Sequence, residues 1–140
     1  MHISASVRNG HHQHEIALST NDSPHQLSIA SGPTGFGSSV NGGELLFLAL
    51  ATCYCNDIYR EAAKRGIEVE HVEVTVDGKF GQAGDPATNV RYHASVRARA
   101  SEVEIHDLIR HTDTVAEIQN TLRSSTPVTL EGIEAISIEG

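Results

Sequence analysis

The chain has 140 residues, enough for one domain with a real core, and carries 10 Lys plus Arg against 18 Asp plus Glu, a formal charge of -8. That balance excludes a non-specific phosphate-binding surface, so nucleic acid is not an expected partner. Two cysteines in a chain of this size exclude a disulfide framework of the secreted kind, which makes the thiols the first place to look for chemistry.

The start, "MHISASVRNG", lacks the charged head and apolar run of a secretory signal, and no stretch approaches the roughly 20 apolar residues of a membrane span. The expected location is the cytoplasm, with no membrane partner. Residues 2–18, "HISASVRNGHHQHEIAL", alternate on both sides of Asn9-Gly10, a dipeptide that favours a two-residue turn, so the N-terminal region 1–35 is predicted to open as a β-hairpin. "QLSIA" at 26–30 reads as a third short strand, and "SGPTGFGSS" has the Gly, Pro and Ser content of a loop. Its glycines lack the Lys-Ser/Thr of a phosphate cradle.

A central helix is predicted over about 43–65. It holds no proline, and Gly66 follows Lys64 and Arg65 as a C-terminal cap. Leu45 to Ala51 are apolar on every side and are expected to be buried all round. The C-terminal region 67–140 reads as two alternating strands, "IEVEHVEVTVDGKF" and "NVRYHASVRARA". A capping box at Ser101 and Glu104 then opens helical sequence to Ser124, and "PVTLEGIEAISIE" closes the chain as a strand. The fold class is α+β.

Cys53 and Cys55 stand two residues apart on the predicted helix, about 200° of rotation, so they point to nearly opposite sides. A disulfide between them and a shared tetrahedral metal site both fail unless the helix breaks. Two readings remain: core residues, or one working thiol with a neighbour. A working Cys53 must be a thiolate, yet it lies mid-helix after an apolar run that raises its pKa. Asp57 at i+4 has the wrong sign to help, and Arg60 at i+7 lies about 10 Å further along the axis. A cation from another segment is required, and Arg8 in the N-terminal hairpin is the first candidate. In "HHQH", strand geometry puts His12 and His14 on one face and His11 on the other. Completed by Glu15 or a partner subunit, that pair would suit a divalent transition metal, but with two assured ligands it reads as a solvated strand face, and no metal is assigned.

The order of elements and the motif "NGGELLFLALATCYCND" resemble the OsmC/Ohr family of osmotically inducible and organic hydroperoxide resistance proteins. Glu44 precedes Cys53 by nine residues, as in that family, and Asp57 matches its OsmC-like branch. The resemblance implies an intertwined α+β homodimer, its antiparallel sheets wrapped around long central helices. Active sites would lie at the subunit interface, where a peroxidatic thiol, here Cys53, reduces organic hydroperoxides without a cofactor. It further implies that an Arg of the N-terminal strands, here Arg8, activates the thiol and that Glu44 orients that Arg. The family's resolving Cys precedes a pattern like Asn-Thr-Leu. In "VAEIQNTLR" the corresponding position is Ala116, a departure from the family.

The implied reaction has the Cys53 thiolate attack the distal peroxide oxygen, leaving an alcohol and a sulfenic acid. With Ala116 unable to resolve it, recycling falls to an external reducing thiol, to Cys55 after local unwinding, or the activity has been lost. The competing function is a non-catalytic dimeric small-molecule-binding protein in which Cys53 is a core residue.

Overall fold

A computed structural model describes residues 1–139. The elements run β1 (Ile3–Gly10), β2 (Gln13–Thr20), β3 (Ser23–His25), α1 (Gly42–Lys64), β4 (Glu68–Lys79), β5 (Thr88–Arg99), α2 (Glu102–Val115) and α3 (Glu117–Arg123). The sheets are antiparallel, so the architecture is the expected α+β. The chain divides into two compact units, Met1–Leu48 and Ala49–Gly140, with α1 contributing its first turns to one and the remainder to the other.

In the first unit β1, β2 and β3 form one sheet in that order. The hairpin turns at His11-His12, two residues beyond the expected Asn9-Gly10, because Gly10 still pairs with Gln13. The displaced turn has its own fastenings. Asn9 exchanges two hydrogen bonds of 3.0 Å with the Gly37 backbone, and His12, at φ 56°, donates its N–H to the Gly35 carbonyl. His11 stacks against Phe36. With His11 and His12 in the turn, the face assignment expected for a continuous "HHQH" strand does not apply. The third strand is Ser23–His25 and not the expected 26–30, since the register Leu18↔His25 ends the pairing before Gln26.

Helix α1 opens with a reciprocal cap: Glu44 N–H donates to Asn41 Oδ1 at 2.8 Å and Asn41 N–H to Glu44 Oε1 at 3.1 Å. It closes on Gly66, whose φ of 68° lets Ile67 N–H reach back to the Ala62 carbonyl, satisfying a helix-end acceptor. The apolar first half is not buried all round within one chain. Leu45, Leu46 and Phe47 are half-buried, Leu48 is 56% exposed, and Leu50 alone among these leucines is buried.

The core of the second unit lies under the other half of α1. Tyr54, Ile58 and Ala62 recur at helical spacing and pack with Leu108 of α2, Ala116 and the inward side chains of β4 and β5. Truncating Ile58 or Leu108 to Ala, both fully buried, would cost about 2–5 kcal/mol. The outer faces of β4 and β5 carry ion pairs such as Arg97–Glu70 and Arg91–Asp77, which leaves their charges solvated as the alternation implies. The capping box at Ser101 and Glu104 is present. The helical stretch that follows is broken at Ala116, whose extended backbone (φ -76°, ψ 112°) ends α2 and begins α3.

Residues 126–139, expected to contain a closing strand, form none. A strand needs a ladder, and among the described residues the segment has no pairing partner. Val128 and Ile138 are accordingly 98% and 97% exposed. Among the described residues no helix is long and apolar enough to cross a membrane.

Candidate functional site

The groups that meet Cys53 come from two helices. On α1 the i, i+4, i+7 spacing places Asp57 and Arg60 along its own face. The break at Ala116 then brings the first residues of α3, Glu117 and Ile118, against the thiol. Cys53 Sγ donates toward Asp57 Oδ2 at 3.5 Å and toward Glu117 Oε2 at 3.6 Å, and the Ile118 N–H donates to the sulfur. Asp57 is only 6% exposed, whereas the Glu117 side chain is half open to solvent.

A cation ties the carboxylates together. Arg60 Nη1 lies 3.1 Å from Asp57 Oδ1 and 2.6 Å from Glu117 Oε1, and its Nε donates to Glu61 Oε2 at 2.8 Å. Glu61 is itself buried, and it accepts from Lys64 at 3.1 Å and meets His111 Nε2 at 2.9 Å. The hydrogen bond from Arg60 first, then those from Lys64 and His111, hold Glu61 down at about 2.

Electrostatics divide the two carboxyls nearest the sulfur. Burial, and then the hydrogen bond and repulsion from Glu117, raise Asp57 to about 6. Burial also acts to raise Glu117, but the hydrogen bonds from Asp57 and Arg60 prevail and hold it at about 2. Between about pH 2 and 6 the pair therefore holds a single proton, on Asp57, and above about 6 both carboxyls are ionised and free to accept one. Burial chiefly, reinforced by the charge of Asp57 and the hydrogen bonds to both carboxyls, pushes the Cys53 thiol up despite the favourable Ile118 N–H. The expected wrong sign of Asp57 is thus expressed in the folded protein.

The donor atoms of Cys53, Asp57 and Glu117 lie within 4.8 Å of one another, the spacing a metal ion would need. Arg60 ion-pairs with both carboxyls and supplies the positive charge there, so this is an arginine-centred cluster and not a ligand set. The histidines of "HHQH" form no grouping of three metal-ligand donors among the described residues.

Cys55 is a free thiol, like Cys53, and lines a separate cavity of about 260 Å³ with Ala51, Thr52, Asn56 and Val74. Arg8 lies in β1 of the first unit, cross-strand from Glu15. Glu44 closes the N-terminal cap of α1. Ala116 is fully buried in the core cluster against which Cys53 packs. Sequence reasoning placed Asp57 and Arg60 on the thiol's face but missed Glu117. The available signal was adjacency, since Glu117 follows the position aligned with a resolving Cys.

No curated protein matches the sequence significantly. Several solved structures share its fold. An OsmC-like protein from Mycoplasma pneumoniae superposes with a TM-score of 0.62 at 15% identity, over 87% of this chain and 86% of that one. An organic hydroperoxide resistance protein from Elizabethkingia anophelis gives 0.61 at 20% identity, over 88% and 89%. One from Legionella pneumophila, also described as a predicted redox protein, gives 0.53 at 15% identity, over 88% and 90%. Residues 35–131 match the profile of the OsmC-like protein family, a span that contains Cys53, Asp57, Arg60 and Glu117; the chain belongs to that family.

Proposed function

We propose that the protein is a thiol-dependent peroxidase that reduces organic hydroperoxides through a Cys53 sulfenic acid, recycled by an external thiol. The observation that carries this reading is the placement of Cys53. Its partly exposed sulfur stands where two helices meet, with a backbone N–H and two carboxyl groups within reach to handle charge and protons. Proteins of the same fold from Elizabethkingia and Legionella bear the name organic hydroperoxide resistance protein, which supports the substrate class. Arg8 is proposed as the cation that favours the thiolate and Glu44 as the group that orients it. The cytoplasm, where small thiols remain reduced, suits the recycling step.

The working form is proposed to be a homodimer. The apolar start of α1 and the unpaired C-terminal segment expose Leu48, Val128, Leu130, Ile136 and Ile138 in a single chain. The last four would share one face if the segment paired as an extended strand. A second copy provides both the cover for the helix and the ladder for the segment.

The upward shift of the Cys53 thiol favours a second reading, a non-catalytic binding protein in which Cys53 is packing. Stoichiometric thiol loss separates the two. Cumene hydroperoxide should consume one thiol per chain faster than hydrogen peroxide does, in wild type and Cys55→Ser but not in Cys53→Ser. Equal, slow loss in all three proteins supports the binding reading.

A further inference from the structure

A cation such as Arg8 favours the thiolate, but the proton of a thiol that faces two carboxyl groups still needs an acceptor. That proton must leave as the sulfur attacks, and the departing alkoxide must gain one. The groups placed to do both touch the reacting atom: Asp57 Oδ2 at 3.5 Å and Glu117 Oε2 at 3.6 Å. Resting on the peroxidase reading, we propose that Asp57 and Glu117 form a catalytic proton-transfer pair. It takes the Cys53 proton during attack on the peroxide and delivers a proton to the leaving alkoxide.

The step balances without a co-reactant. The S–H proton passes to the carboxyl pair and the sulfur electron pair attacks the distal peroxide oxygen. An S–O bond forms as the O–O bond breaks, and the alkoxide takes its proton from the pair. Cys53–SH and ROOH become Cys53–SOH and ROH, with sulfur oxidised by two electrons and the peroxide reduced by two. The pair returns to its starting protonation.

The surrounding groups keep this proton available. Arg60 bonds both carboxyls, and behind it Glu61 is held by Lys64 and His111, so the guanidinium stays fixed between the two acids. Arg60 is a positioning residue, since its bonds are to the carboxyls and not to the sulfur. The split between Asp57, raised to about 6, and Glu117, held at about 2, is the pattern of two acids sharing one proton.

The test compares two rates that a thiolate-only mechanism would move together. Single-turnover oxidation by cumene hydroperoxide reads the whole step, and alkylation by iodoacetamide reads thiolate population alone. Asp57→Asn removes a negative charge beside the sulfur, so alkylation at pH 7.5 should rise a few-fold. Oxidation should instead fall by on the order of 10- to 100-fold because the base is lost. Glu117→Gln, at a half-exposed position, should show the same opposition if Asp57→Asn fails to fold. The wild-type oxidation rate should level off above pH about 6, where the pair can accept a proton, while its alkylation keeps rising. Oxidation that rises in step with alkylation in the variants, or a wild-type oxidation rate with no plateau, overturns the proton-transfer pair and leaves the peroxidase reading standing. Wild-type protein that reacts with the hydroperoxide no faster than a free thiol overturns both, and alkylation would still report the charge effect of Asp57.

Discussion

The guanidinium of Arg60 meets the Glu117 carboxylate at 2.6 Å, joining the later turns of α1 to the first residue of α3. The same nitrogen reaches Asp57 at 3.1 Å, so one side chain fixes the two acids that flank the Cys53 sulfur. The position of α3 against the thiol thus depends on an ion pair as well as on packing.

Replacing Arg60 with Met keeps the apolar stem and removes the charge. Asp57, nearly buried, then loses its cation, so the expected cost is about 1.5–3 kcal/mol in urea unfolding, the range for hydrogen bonds to charged groups. The partial exposure of Arg60 keeps it below the cost of breaking a fully buried pair. Near-wild-type stability would show that Arg60 contributes little to holding α3.

Asp57 makes stability depend on pH in an unusual direction for a carboxyl. Its folded-state pKa of about 6 lies above the unfolded value, so between about 4 and 6 the folded protein binds more protons. Its contribution is full below about pH 4 and is lost as pH rises through 6. Glu117, lowered to about 2, contributes the opposite way, losing its stabilisation as pH falls from about 4.5 towards 2. Asp57→Asn should therefore remove a decline on the order of 1–3 kcal/mol between pH 4 and 7. Parallel stability curves for the variant and wild type would refute the raised carboxyl.

Much of this arrangement was legible in the sequence because it follows local rules. The α1 cap at Gly66, the capping box at Ser101 and Glu104, the paired strands β4 and β5, and the opposed directions of Cys53 and Cys55 all depend on spacing within one element. What escaped depended on contacts between elements. The hairpin turn moved to His11-His12 under bonds from Gly35 and Gly37, residues more than twenty positions away. Glu117 gained its place through the backbone break at Ala116, which no periodicity announces. The closing segment has the alternation of a strand but lacks a partner among the described residues.

Leu48 offers a direct test of the dimer. At 56% exposure in a single chain, Leu48→Glu should change the stability of a monomer by no more than about 0.5 kcal/mol. In a homodimer that covers the start of α1, it buries an unpaired charge and should shift sedimentation from twice the chain mass towards 15.0 kDa. A wild-type protein that sediments as a stable 15.0 kDa monomer at micromolar concentration counts against the dimer.

Ala116 tests the recycling step. It is fully buried in the cluster against which Cys53 packs, and the Ile118 N–H two residues on bonds the sulfur. Ala116→Cys adds one sulfur atom to a filled core, at a cost of about 1–3 kcal/mol. After one equivalent of cumene hydroperoxide, mass spectrometry should find a disulfide between the introduced thiol and Cys53. Wild type should instead stop at a sulfenic acid that dimedone traps, without a bond to Cys55, which lines a separate cavity. Dimedone labelling of the variant as complete as in wild type would show that the new thiol cannot reach Cys53. A Cys53–Cys55 disulfide in wild type would show that α1 unwinds at this point during turnover, making Cys55 the resolving group.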